Sequence, residues 1–145
     1  MQVRKVTGAA TAMVEEGRRR VLLVDDEWPM RVFVARILQR EGFEVMEASD
    51  GLDAFGLLQQ MSGAVDVLVT DVRMPRMTGI ELVQKIKAEL PGMPVVYISG
   101  DTLEDRLHDP SSRVVFLQKP FRPQAMLDAI RAVTADPGAA RRFGA

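Results

Sequence analysis

Apolar runs in this chain end on groups that can do chemistry. Val21-Leu22-Leu23-Val24 runs into Asp25-Asp26-Glu27, and Val67-Leu68-Val69-Thr70 runs into Asp71. Val95-Val96-Tyr97-Ile98 runs into Ser99-Gly100, and Arg113 to Leu117 leads to Gln118-Lys119-Pro120. Short runs of this kind, bounded by Gly, Pro and Asp, read as strands. In an open α/β sheet the ligand crevice lies at the carboxyl ends of the strands, so these side chains converge. Asp25, Asp26 and Asp71 then share a few ångströms, where each like-charge pair costs about 4 kcal/mol at an effective dielectric near 20. Raised pKa values or a bound cation must relieve that cost, and a hard divalent ion such as Mg²⁺ suits oxygen ligands better than Zn²⁺. Mg²⁺ together with Lys119 balances the three carboxylates.

That balance favours a phosphoryl group. A carboxylate nucleophile can take phosphate as an acyl phosphate, with catalysis supplied by positioning and charge neutralisation. Asp71 is placed to be that nucleophile, because its strand delivers it to a turn marked by Pro75 and Gly79. The metal and Lys119 would neutralise the phosphoryl oxygens, the Ser99 hydroxyl would donate to them, and Gly100 would leave room for the donor.

The elements that must hold these groups alternate strand and helix. After a first strand near 20–25, Met30, Phe33, Val34, Ile37 and Leu38 form an apolar stripe on a helix near 28–41, with Pro29 in its first turn and Gly42 ending it. Trp28 reads as packing at the start of that helix. Phe43 to Ala48 is the second strand. Asp50-Gly51-Leu52-Asp53 opens a helix carrying Ala54, Phe55, Leu58 and Met61 on one face, closed by Gly63. Thr78-Gly79-Ile80-Glu81 has capping-box spacing and starts a third helix with Ile80, Val83, Ile86 and Leu90 inward. Residues 101–108 give at most two helical turns before Asp109-Pro110 breaks them. The last helix starts around Pro123 and turns Met126, Leu127, Ile130 and Val133 inward. Five parallel βα units with right-handed crossovers predict an α/β three-layer sandwich with five helices, the fourth short.

Composition narrows the function classes. The 145 residues suit one domain at 20–135, with a leader or linker at 1–19 and a loose tail at 136–145. Nineteen basic against twenty acidic side chains leave no global positive field for nucleic acid. The lack of cysteine excludes disulfides and Cys-based zinc or redox chemistry and fits a cytoplasmic setting. No apolar run approaches the roughly 18 residues that span a bilayer. Ala10-Thr11-Ala12 matches a signal-peptide cleavage pattern, but the stretch before it is too weakly apolar for a secretory signal. His108, the only histidine, reads as exposed and without metal-site partners.

The motifs carry a family resemblance. Asp25-Asp26 after strand one, Asp71-x-x-Met74-Pro75-x-Met77-x-Gly79 after strand three, Ser99-Gly100 after strand four and Lys119-Pro120 after strand five resemble the response regulator receiver domain of two-component signalling, over roughly residues 19–135. The resemblance implies a flavodoxin-like sheet of order 2-1-3-4-5, with Asp71 phosphorylated by a phosphohistidine on a histidine kinase or phosphotransfer domain. It also implies Mg²⁺, or Mn²⁺ in its place, on Asp26, Asp71 and the Arg73 backbone carbonyl, and on Asp25 directly or through water. Ser99 and Lys119 would hold the phosphoryl oxygens, Phe116 would be the switch aromatic, and the Lys119-Pro120 bond would be cis. The output would be an unidentified downstream protein, with no enzyme activity beyond phosphoryl transfer at Asp71 itself and no nucleic-acid or membrane contact.

Departures from the pattern matter. Phe116 lacks the hydroxyl that a tyrosine switch uses, and the stretch from Ser99 to Lys119 is shorter than the family pattern by about two residues. Arg73 and Asp101 stand two positions beyond Asp71 and Ser99, either as an ion pair across the site mouth or as separately solvated charges. Two other functions compete with the receiver reading: a binding module that works without phosphorylation, and a Mg²⁺-dependent aspartyl-phosphate phosphatase, for which the loops are short. A stand-alone receiver and one belonging to a hybrid kinase both fit.

Overall fold

The structure, a computed structural model, describes residues 19–100 and 113–134. Its elements in chain order are β1 (Arg20–Val24), α1 (Trp28–Arg40), β2 (Glu44–Ala48), α2 (Gly51–Gln60), β3 (Val67–Asp71), α3 (Gly79–Glu89), β4 (Val95–Ser99), β5 (Val114–Gln118) and α4 (Pro123–Thr134). All strands pair in parallel in the order β2-β1-β3-β4-β5. The expected short helix at 101–108, with Asp101 and His108, lies outside the described residues, as do residues 1–18 and 135–145 of the leader and tail. Among the described residues there are four helices, and none is long and apolar enough to cross a membrane.

Register decides where the strands deliver their ends. Val24 lies opposite Thr70, Asp71 opposite Ile98, and Ser99 opposite Gln118, so all the central strands finish at one edge. The continuous apolar runs are explained by burial on both sides, as a covered parallel sheet requires. Alternate residues Val21, Leu23, Val67, Val69, Val96 and Ile98 pack with α1 and α4 on one face. Leu22, Val24, Leu68, Val95 and Tyr97 pack with α2 and α3 on the other. Leu22, Leu23, Leu68 and Ile98 are fully buried, each such side chain contributing about 1.5–3 kcal/mol relative to exposure.

Local signals set the helices. Pro29 occupies the first turn of α1, while Glu27 is the N-cap residue without a side-chain cap. The Asp50 side chain accepts from the Asp53 N–H at the start of α2. At α3 both halves of the capping box form between Thr78 and Glu81. Gly42 and Gly63 follow α1 and α2 at φ +92° and +74°, backbone that a side chain would strain.

Two expectations on α1 need correction. Trp28 is 65% exposed and does not pack under the helix start, and Phe33 is 41% exposed. The buried stripe is Val34, Ala35, Ile37 and Leu38, rotated away from Phe33, which instead meets Phe121 at a ring-centroid distance of 6.0 Å.

Candidate functional site

The buried run of β3 carries Asp71 to the sheet edge and leaves it only 5% exposed. The loop after Asp71 is tightly held. The Val72 N–H donates to the Ile98 carbonyl at 3.0 Å, and the Gly79 N–H donates to the Val72 carbonyl at 2.8 Å. A Cβ at Gly79 would stand 2.1 Å from the Asp71 carbonyl oxygen, so the start of α3 can lie against the aspartate only with glycine there. Arg76, at φ +69°, reaches back to the Asp50 carboxylate that caps α2.

Asp25 is fully buried at the end of β1. Its Oδ1 accepts from the Glu27 N–H at 2.9 Å, while Oδ2 has no hydrogen-bond partner among the described residues. Arg31 donates to the Asp25 carbonyl at 2.8 Å and to Glu47 at 3.1 Å, tying α1 to the β1 end and to β2. Asp26 is exposed. One ligand oxygen each from Asp25, Asp26 and Asp71 all lie within 4.8 Å of one another.

Lys119 closes the site from the β5 side. Its Nζ donates to Asp71 Oδ2 at 3.4 Å and equally to Glu27 Oε1 at 3.4 Å. Its backbone N–H donates to the Ser99 carbonyl at 2.8 Å, which fixes the end of β5 against the end of β4. The Lys119-Pro120 peptide is cis, as expected. Ser99 is 2% exposed at the same edge, and a Cβ built on Gly100 meets no atom of the described residues within 4 Å. Phe116 is half-buried opposite Tyr97, on the α2–α3 side of the sheet. The Arg73 N–H is 3.4 Å from Asp71 Oδ1; the Arg73–Asp101 pairing lies outside the described residues.

Electrostatics follow from this crowding. Burial pushes the Asp25 carboxyl up to about 6, with Asp71 adding to the shift and the Glu27 N–H opposing it. Burial also raises Asp71, against the pull of Lys119. Burial would lower the Lys119 ammonium, but the Asp71 and Asp25 carboxylates outweigh it and hold it above the usual lysine value. A buried carboxylate oxygen without a partner, beside two further carboxylates, is the donor set of a hard divalent cation. Asp25, Asp26 and Asp71 therefore fit such an ion.

The structure brings together Asp25, Asp26, Asp71, Ser99 and Lys119, as the sequence implied. It adds two contacts that sequence reasoning passed over. Glu27, which the sequence marks only as a flank of α1, reaches Lys119, and Arg76 ties the acceptor loop to Asp50. The run Asp25-Asp26-Glu27 held a signal for the first; a loop arginine facing a helix cap held none for the second.

A doubly wound parallel sheet with a carboxylate cluster and one lysine at its carboxyl edge defines the class: a flavodoxin-like domain built around a central aspartate. Within that class, a profile described as the response regulator receiver domain matches residues 21–131. The chain belongs to the response regulator receiver domain family, the receiver module of two-component signalling. It is 34% identical over 119 residues to the chemotaxis protein CheY of Pseudomonas aeruginosa, covering 79% of this chain and 94% of that protein. It is 32% identical over 118 residues to the sensor kinase CckA of Brucella abortus, covering 79% of this chain but 12% of the kinase. The chain likewise spans about half of two regulators it resembles, 54% of TcrX of Mycobacterium tuberculosis and 49% of YbdJ of Bacillus subtilis. Among solved structures, a chain of the CheX-CheY-BeF3-Mg+2 complex from Borrelia burgdorferi superposes with a TM-score of 0.73 at 26% identity, covering 84% of this chain and 94% of that one.

Proposed function

We propose that this chain is the phosphoacceptor of a two-component phosphorelay, taking a phosphoryl group from a phosphohistidine onto Asp71 and passing the change to a downstream protein. The observation that carries this reading is the Asp71 carboxylate, nearly buried yet set between the Lys119 ammonium and the partnerless oxygen of Asp25. The Asp71 oxygens accept from the Arg73 N–H and from Lys119, but Asp25 Oδ2 beside them has no partner among the described residues, so the cluster leaves charge to be matched.

In the transfer an Asp71 carboxylate oxygen attacks phosphorus in line, the new O–P bond forming as the P–N bond breaks. The electron pair of that bond returns to the imidazole nitrogen of the donor. Lys119 would move its ammonium from the carboxylate to a phosphoryl oxygen, and the Ser99 hydroxyl would donate to another. Mg²⁺, held by Asp25, Asp26, Asp71 and the Arg73 backbone carbonyl, would supply charge neutralisation, with Mn²⁺ able to substitute. Phe116 would respond by packing further inward, a change that needs no hydroxyl. The phosphoryl donor is the only other reactant in this reading, which includes no enzyme activity beyond phosphoryl transfer at Asp71 itself.

The donor in this reading is a histidine kinase or phosphotransfer domain, in keeping with the likeness to a sensor kinase segment, and the proposed setting is the cytoplasm. Exposed Trp28 and Phe33, with Pro123 and Leu127, line an apolar groove between α1 and α4 that suits such a domain.

Intact mass after incubation with Mg²⁺ and a small acyl phosphate tests the reading. Gain of one phosphoryl group, absent in chelator and in Asp71→Ala, is the expected result. No gain from either the acyl phosphate or a cognate kinase would favour a binding module that works without phosphorylation.

A further inference from the structure

Glu27 sits in the cleft without a part in the phosphoacceptor chemistry, and it holds a group that the chemistry needs. Its Oε1 lies 3.4 Å from Lys119 Nζ, the same distance that separates Nζ from Asp71 Oδ2. The Glu27 side chain is 63% exposed and caps no backbone N–H of α1, so neither burial nor helix capping explains its place. Its own N–H is spoken for by Asp25, which fixes the backbone and leaves the side chain to swing over the cleft.

We infer that Glu27 is a positioning residue that restrains Lys119: it shares the ammonium with Asp71 in the resting site and must release it when a phosphoryl group arrives. This rests on the phosphoacceptor reading above. An ammonium can point its donors at two carboxylates at once, but it must turn toward phosphoryl oxygens that lie beyond Asp71 Oδ2. The resting contact with Glu27 then opposes the motion, and its loss favours the state that accepts phosphate. A doubly charged phosphoryl group outcompetes a single exposed carboxylate, so the restraint slows capture without preventing it. Glu27 thereby sets how readily the site is filled by weak donors.

The test uses the whole chain with Mg²⁺ and two donors of different charge, acetyl phosphate and phosphoramidate, following the rate of mass gain against donor concentration. Glu27→Gln removes the charge, while Glu27→Asp keeps it and withdraws it by one methylene from Lys119. Both variants should label about two- to fivefold faster at saturating donor, the range that loss of one exposed ion pair permits. The gain should be equal for the two donors. In the metal-free protein the Lys119 ammonium resonance, assigned by its loss in Lys119→Arg, should move in both variants. Rates equal to wild type, or acceleration confined to Glu27→Gln and larger for the more highly charged donor, would overturn the inference, the latter result leaving only a general field effect. An unmoved ammonium resonance would also overturn it. Wild-type protein that takes no phosphate from any donor would overturn the phosphoacceptor reading and this inference together, whereas a labelled wild type with unaltered variants would remove this inference alone.

Discussion

Lys119 Nζ stands 3.4 Å from Asp71 Oδ2, joining the end of β5 to the end of β3 across the intervening strand β4. The Lys119 N–H bond to the Ser99 carbonyl fixes that reach, because it sets the lysine backbone against the end of β4. Replacing Lys119 by Met keeps the stem and removes the ammonium. Phosphoryl gain from acetyl phosphate should fall about a hundredfold, the scale of losing one charge-stabilising donor, while the circular dichroism of the fold stays unchanged.

The metal-free folded protein should hold the Asp25 proton more tightly than the unfolded chain does. The folded pKa of Asp25, about 6, lies above the ordinary value of 3.8. The associated stability is fully present below the unfolded value and is lost as pH rises through about 6. In chelator at pH 7.5, Asp25→Asn should therefore be more stable than wild type by about 3 kcal/mol, and the difference should close by pH 4. Denaturant unfolding at the two pH values measures it.

Mg²⁺ should close that gap. At a hundred times its dissociation constant the ion should stabilise the wild type by about 2.7 kcal/mol, and Asp25→Asn should gain far less. Chelator should remove the gain. Trp28, the only tryptophan, starts α1 two residues from Asp26 and should report the binding as a change in fluorescence.

Gly79→Ala should cost more than an ordinary helix substitution. The new Cβ would meet the Asp71 carbonyl oxygen at 2.1 Å, so the first turn of α3 must move off the acceptor loop. A loss above about 2 kcal/mol is expected, with phosphoryl gain impaired as well. Gly56→Ala, inside α2 with nothing within 4 Å, is the control and should stabilise by about 0.5–1 kcal/mol.

Thr78→Ala removes one half of the α3 capping box and should cost about 1 kcal/mol. Thermal unfolding should show it, with labelling of Asp71 retained because the Gly79 contact with the loop is backbone only.

Much of this molecule is legible in its residues alone. Period and punctuation reveal strands and helices because burial on two faces demands unbroken apolar runs, and turns demand Gly, Pro or a cap. Asp25, Asp26, Asp71, Ser99 and Lys119 can be grouped because each ends a strand, and parallel strands bring their ends to one edge. The stripe on α1 is less legible. Periodicity leaves a helix free to rotate by part of a turn, and only packing against β1 and α4 chose Ala35 over Phe33 for the interior.

The sequence by itself determined the alternation of strand and helix, the family, and which five groups meet, because these depend on local pattern and on a topology that short crossovers enforce. Tertiary structure alone decided the distances between groups: the equal reach of Lys119 to Asp71 and Glu27, the Asp25 oxygen without a partner among the described residues, and the closeness of Gly79 to the Asp71 carbonyl. Those depend on register, side-chain rotamer and helix placement, which are settled only when both faces of the sheet are packed at once.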